Sequence, residues 1–195
     1  MQATVERMRN LTYFVASTLD GFIASPDGSF DFFGLPDDLA QFIVAEYPET
    51  LPTAFRSQLG LTAAGQRFDT VLEGRGSYEV GLDAGVTNAY THLRHLVFSS
   101  KLTIDDASVE LVTGDALERV RALKAEPGSG IWLVGGGTLA AALVSEIDEF
   151  VVKLNPVIAG AGIPLVASGF DPQSLALVDS RVLESGVVVL TYRRA

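Results

Sequence analysis

Apolar positions along this chain fall into two periods. Leu11 to Ser17, Phe68 to Leu72, Arg94 to Ser99, Val109 to Val112, Ile131 to Val134 and Phe150 to Leu154 are short, mostly apolar runs that read as strands. Between them apolar residues recur at helical spacing. Leu39, Phe42, Ile43 and Tyr47 follow Pro36, which suits the first turn of a helix. Further helices are read around Phe55 to Leu59, from near Arg75 to about Gly81–Gly85, over Ala116–Ala125 behind the cap residues Thr113-Gly114-Asp115, and over Gly137–Ser145. Two alternating runs close the chain, Ser174–Leu183 and Val187–Tyr192, parted by the hairpin signal Glu184-Ser185-Gly186. Helices set between strands and a hairpin at the end predict an α/β fold. Its sheet should be mostly parallel with an antiparallel edge. No repeat or linker divides it, so a short N-terminal tail (residues 1–10) and one domain (residues 11–195) are expected.

The most informative stretch is Ile131-Trp132-Leu133-Val134-Gly135-Gly136-Gly137-Thr138-Leu139. A buried strand turns through three glycines directly into a helix. Such a junction brings bare backbone close to a ligand and aims unpaired helix amides at a phosphate. Two more strand ends share that chemistry. Glu73-Gly74-Arg75-Gly76-Ser77 adds a cation beside two glycines, and Ser99-Ser100-Lys101 adds two hydroxyls and a second cation.

Composition narrows the possibilities. The 195 residues are 48% apolar, yet no apolar run is long enough to cross a bilayer, and the polar start lacks a signal-peptide core. A cytoplasmic protein away from membranes is expected. Absence of cysteine removes disulfides, thiol nucleophiles and zinc–thiolate sites, and no metal site is expected from His92 and His95, read as ordinary polar positions at a strand start. A net charge of −10 argues against nucleic acid as a partner but not against a nucleotide, for which Arg75, Arg94 and Lys101 lie near the glycine junctions in sequence.

Taken in order, these pieces resemble the dihydrofolate reductase superfamily, including the reductase domain of riboflavin biosynthesis. Val15-Ala16-Ser17-Thr18-Leu19-Asp20-Gly21-Phe22-Ile23-Ala24 is similar to the family's first strand and the loop closing over the nicotinamide. Gly74-Arg75-Gly76-Ser77-Tyr78 resembles its phosphate element, and Val97-Phe98-Ser99-Ser100-Lys101 its 2′-phosphate strand end. Val134-Gly135-Gly136-Gly137-Thr138-Leu139 is similar to the pyrophosphate turn, and Asn155-Pro156 to Leu165 to the late Pro/Gly loop.

The resemblance implies a dihydrofolate reductase-like domain that binds NADPH. Its cofactor residues would be Ala16, Ile23, Gly74, Arg75, Gly76, Ser77, Ser99, Ser100, Lys101, Val134, Gly135, Gly136, Gly137, Thr138 and Leu139, with a cis peptide between Gly135 and Gly136. On the substrate side it selects Asp38 as the catalytic carboxylate and Phe42 as the aromatic beside it. Asp37 and Asp38 also suit a helix's first turn on electrostatic grounds alone. The implied activity is reduction of a small planar heterocycle by a homodimer, as in the pyrimidine reductase of riboflavin biosynthesis, with dihydrofolate reduction as the alternative. A non-catalytic NADPH sensor or a structural dimer is the rival from another class.

Five features depart from these patterns. Leu93 falls where an arginine for the folate tail belongs, and 51–65 lacks a folate-tail pattern. No deaminase domain is read in the chain, and the Asp-Pro-x-Leu element expected after Tyr78 is missing. Glu73 stands where the family carries an apolar residue, with no role assigned.

Overall fold

A computed structural model describes residues 8–62 and 67–195. Expectations for residues 1–7 and for part of the 51–65 segment lie outside these. Ten strands and five α-helices are arranged along the described chain. They are β1 (Leu11–Ser17), β2 (Phe22–Ala24), α1 (Asp37–Glu46), α2 (Thr53–Gln58), β3 (Phe68–Gly74), α3 (Arg75–Asp83), β4 (Arg94–Phe98) and β5 (Val109–Val112). Then come α4 (Ala116–Ala125), β6 (Gly130–Gly135), α5 (Gly137–Leu143), β7 (Glu149–Leu154), β8 (Ile163–Pro164), β9 (Leu175–Val182) and β10 (Val188–Arg194).

Eight strands form one sheet in the order β5-β4-β3-β6-β1-β7-β10-β9. From β5 to β7 all neighbours are parallel, and β10 and β9 add the antiparallel edge. The central strands are apolar on both faces because helices cover both. On one face Leu39, Phe42 and Ile43 of α1 pack with Phe14, Val71, Trp132 and Val151. On the other, Val120 and Leu123 of α4 and Leu139, Ala140 and Leu143 of α5 pack with Leu11, Leu72, Leu133 and Val152.

Some local features differ from the sequence reading. Arg9, placed in the tail by pattern alone, is buried, its guanidinium bound to Asp69, Thr70 and the Ser129 carbonyl. Short strands β2 and β8 pair with each other, tying the Asp20–Ala24 loop to the late Pro/Gly loop. Asp20 strengthens that tie by accepting hydrogen bonds from the Ala159 and Gly160 amides at 3.1 and 2.6 Å. Gly162 is required there, because a Cβ would meet the Ala24 carbonyl oxygen at 2.2 Å. His95, expected as an ordinary polar position at a strand start, stands at that start but is buried. It is 1% exposed, inside β4, for a reason given below.

Among the described residues, no helix is long and apolar enough to cross a membrane.

Candidate functional site

Parallel strands present all their C-terminal ends on one side of the sheet, and ligands of such sheets bind there. In this protein a cavity of about 850 Å³ runs along that side, walled by the ends of β1, β3, β4, β6 and β7. From β4 to β7 are four strand intervals, or about 19 Å at the usual spacing. That is room for an extended ligand.

The two ends of this trough differ. Beyond β3 and β4 it is polar, lined by Arg75, Ser77, Ser99, Ser100 and Lys101. Arg75 holds Glu79 at 3.0 Å across an exposed helix turn. Such pairs contribute about 0–1 kcal/mol, so the guanidinium is free to turn to a better anion. Ser99 Oγ accepts from the amides of Lys101 and Leu102, which fixes the turn after β4 and leaves its hydroxyl proton available. Arg94 is elsewhere: at the opposite end of β4 it binds Glu110 and Glu126.

In the middle, α3 and α5 follow the cap residues Gly74 and Gly136, which have no side chain to bond the first helix amides. The peptide between Gly135 and Gly136 is cis. The glycines here serve different purposes. A Cβ on Gly76 would meet nothing within 4 Å, whereas one on Gly137 would strike the Pro164 carbonyl oxygen at 2.2 Å. Gly76 therefore leaves open space at the wall, and Gly137 is demanded by packing. An anionic backbone fits these open amides and flanking cations.

Toward β1 and β7 the wall turns apolar and aromatic, with Phe14, Ala16, Ile23, Phe30, Phe33, Trp132 and Ile163, interrupted by Lys153. Glu73 also reaches the wall. Its Oε2 is 2.7 Å from His95 Nε2, which accounts for the carboxylate at this unusual position and for the buried histidine.

All fifteen residues expected to hold the cofactor line this one cavity. Asp38 and Phe42 are not among the residues that line it. The Asp38 carboxylate accepts from the Ser185 amide at 2.7 Å and from Leu39 N–H at 2.8 Å, so it secures the β9–β10 turn. These bonds hold its carboxyl below the usual range. Phe42 is buried in the α1 core, with the Arg181 guanidinium 5.1 Å over its ring. Sequence reasoning missed Phe14, Phe30, Phe33 and Lys153 at the site. A lysine inside the apolar run Phe150–Leu154 was a signal available in the sequence.

The sequence profile of the RibD C-terminal domain matches residues 9–189. Two uncharacterized proteins of Bacillus subtilis (strain 168) are similar over most of their length. YyaP is 28% identical over 95% of this chain and 95% of its own, and YwjB is 32% identical over 80% and 82%. Among solved structures, a Shewanella sp. PV-4 protein named for riboflavin biosynthesis superposes with a TM-score of 0.70 at 24% identity, covering 96% of this chain and 99% of that one. The Thermotoga maritima diaminohydroxyphosphoribosylaminopyrimidine deaminase/5-amino-6-(5-phosphoribosylamino)uracil reductase gives 0.67 at 18% identity, covering 97% of this chain and 58% of that one. These two likenesses establish the shared fold.

Proposed function

Because the chain belongs to the RibD C-terminal domain family, we propose that it is an NADPH-dependent reductase of a small planar heterocycle, most closely of the 5-amino-6-(5-phosphoribosylamino)uracil type. One observation carries the reading. A single trough joins a phosphate-friendly end, two uncapped helix starts and an aromatic end.

In this reading Arg75, Ser99, Ser100 and Lys101 surround the 2′-phosphate, and the amides beginning α3 and α5 receive the diphosphate. Ala16 and Ile23 flank the ring end. When bound, the cofactor supplies the hydride. The protein supplies alignment of the acceptor against Phe14, Phe30 and Phe33. Dihydrofolate reduction is the weaker reading, because Asp38 is committed to the hairpin turn. A small-molecule substrate, a homodimer and a cytoplasmic setting complete the proposal.

Calorimetry with NADPH and NADH, followed by oxidation of NADPH in the presence of 5-amino-6-(5-phosphoribosylamino)uracil, tests it. Charge-assisted contacts to the extra phosphate contribute about 1.5–3 kcal/mol each, so NADPH should bind at least about tenfold tighter. Equal affinities sink the cofactor assignment. Tight NADPH binding with no oxidation across a panel of heterocycles favours a sensor.

A further inference from the structure

Lys153 is the cation on the cavity wall that phosphate binding leaves unused. It lies on β7, its Cα in register with Ala16 of β1, at the aromatic end of the trough and four strands from Lys101. Its Nζ stands 3.7 Å from the centroid of the Phe14 ring. Among the described residues this amine has no hydrogen-bond or ion-pair partner, while Lys124, which is buried, binds Glu146 and Asp148. A half-buried ammonium facing an apolar, aromatic wall without a counter-charge is costly to keep unless a ligand uses it.

The charged groups on the surrounding elements are engaged elsewhere. Glu73 on β3 is held by His95, Asp38 on α1 by the Ser185 amide, and Arg181 on β9 by the Phe42 ring and Glu46. Asp31 and Asp37 are exposed to solvent. Tyr90, also on the wall, has its phenol pushed far up by burial and is a poor acid.

We propose that Lys153 is the general acid of this site, giving its Nζ proton to the nitrogen or oxygen of a substrate C=N or C=O bond as the carbon is reduced. The proposal rests on the reductase reading and narrows the substrate class to imines and carbonyls. In the step, the substrate carbon forms a C–H bond with the electron pair of a dihydronicotinamide C4–H bond, which breaks. The π pair of C=N or C=O moves onto the heteroatom, which bonds to the proton leaving Nζ. An amine or alcohol, the oxidised nicotinamide and a neutral Lys153 result, and water reprotonates the amine.

Burial alone lowers the Lys153 amine from its ordinary range to about 7, where a general acid is effective at neutral pH. Lys101, Lys124 and Lys153 are the chain's lysines, so side-chain NMR on protein labelled at lysine Cε resolves each one. The Lys153 titration midpoint should be near 7 and lower with NADP⁺ than with NADPH bound, since the oxidised ring's positive charge opposes the ammonium. A midpoint near the ordinary value of about 10.4, or one identical with both cofactor forms, overturns the proposal. Lys153→Met should keep NADPH affinity within about twofold and slow single-turnover reduction of the ribosylaminouracil at least about 100-fold. Turnover equal to the unmodified protein, or an affinity loss as large as the rate loss, also overturns it. Should the unmodified protein not reduce this pyrimidine while the two-cofactor titration behaves as stated, the pyrimidine assignment fails and Lys153 keeps its role toward another imine or carbonyl.

Discussion

Glu73 Oε2 lies 2.7 Å from His95 Nε2, with both side chains buried, and the hydrogen-bond network fixes how many protons they share. Asn88 Oδ1 accepts from the Tyr90 amide at 2.9 Å, and Asn88 Nδ2 donates to Ser108 Oγ, so the amide's orientation is set. His95 Nδ1, 3.0 Å from that same Oδ1, must then be a donor. One proton consequently bridges Nε2 and Glu73.

This count predicts an order of stabilities. Glu73→Gln replaces the bridge with an amide N–H donated to a neutral Nε2 and should cost no more than about 1 kcal/mol. Glu73→Leu leaves Nε2 buried without a partner, for about 1–3 kcal/mol. His95→Leu strands a buried carboxylate, for about 3–5 kcal/mol. Urea denaturation of the three variants checks the order, and a glutamine variant as unstable as the leucine one contradicts the shared proton.

Gly76→Ala should separate stability from binding. Gly76 lies in the first turn of α3 with open space where a Cβ would stand. Alanine favours a helix over glycine by up to about 1 kcal/mol, so Tm should rise or hold. The methyl group also narrows the approach to the cavity wall, and NADPH affinity by calorimetry should fall severalfold. Unchanged affinity would place the ligand away from this turn.

Asp38→Ala tests whether this carboxylate serves the fold or the chemistry. Hydrogen bonds from Ser185 and Leu39 depress its folded pKa below the unfolded value. Its contribution is therefore present above the unfolded pKa of about 3.9 and is lost as pH falls through the lower folded value. The variant should melt below the parent at pH 7 and converge with it in strong acid, with turnover kept within about twofold. A large loss of turnover at pH 7 would return Asp38 to the active site.

Strand β9 is exposed along its whole length, with Leu177 55% and Val182 75% exposed at an unpaired sheet edge. Open apolar edges of this kind invite another strand or chain. Light scattering at micromolar concentration should give the mass of a dimer, and Leu177→Lys with Val182→Lys should shift it to a monomer. A monomeric parent, or a dimer indifferent to both lysines, rules out this edge as the interface.

Local pattern in the sequence determined most of the fold. β1, β5 and α4 have the bounds read from apolar period and cap residues, because a strand buried on both faces and a capped amphipathic helix each carry their signal within a few neighbours. The three polar or glycine-rich strand ends were legible for the same reason, since phosphate chemistry at a junction needs only adjacent residues. Partners distant in the chain were not legible. Asp38 meets Ser185 only because the terminal hairpin folds back over α1. Glu73 meets His95 only because β3 and β4 lie side by side in parallel, and Lys153 reaches Phe14 only because β7 lies beside β1. Periodicity states which residues share a face. Which side chain faces which across neighbouring strands depends on strand order and register, and those are decided by packing the whole sheet.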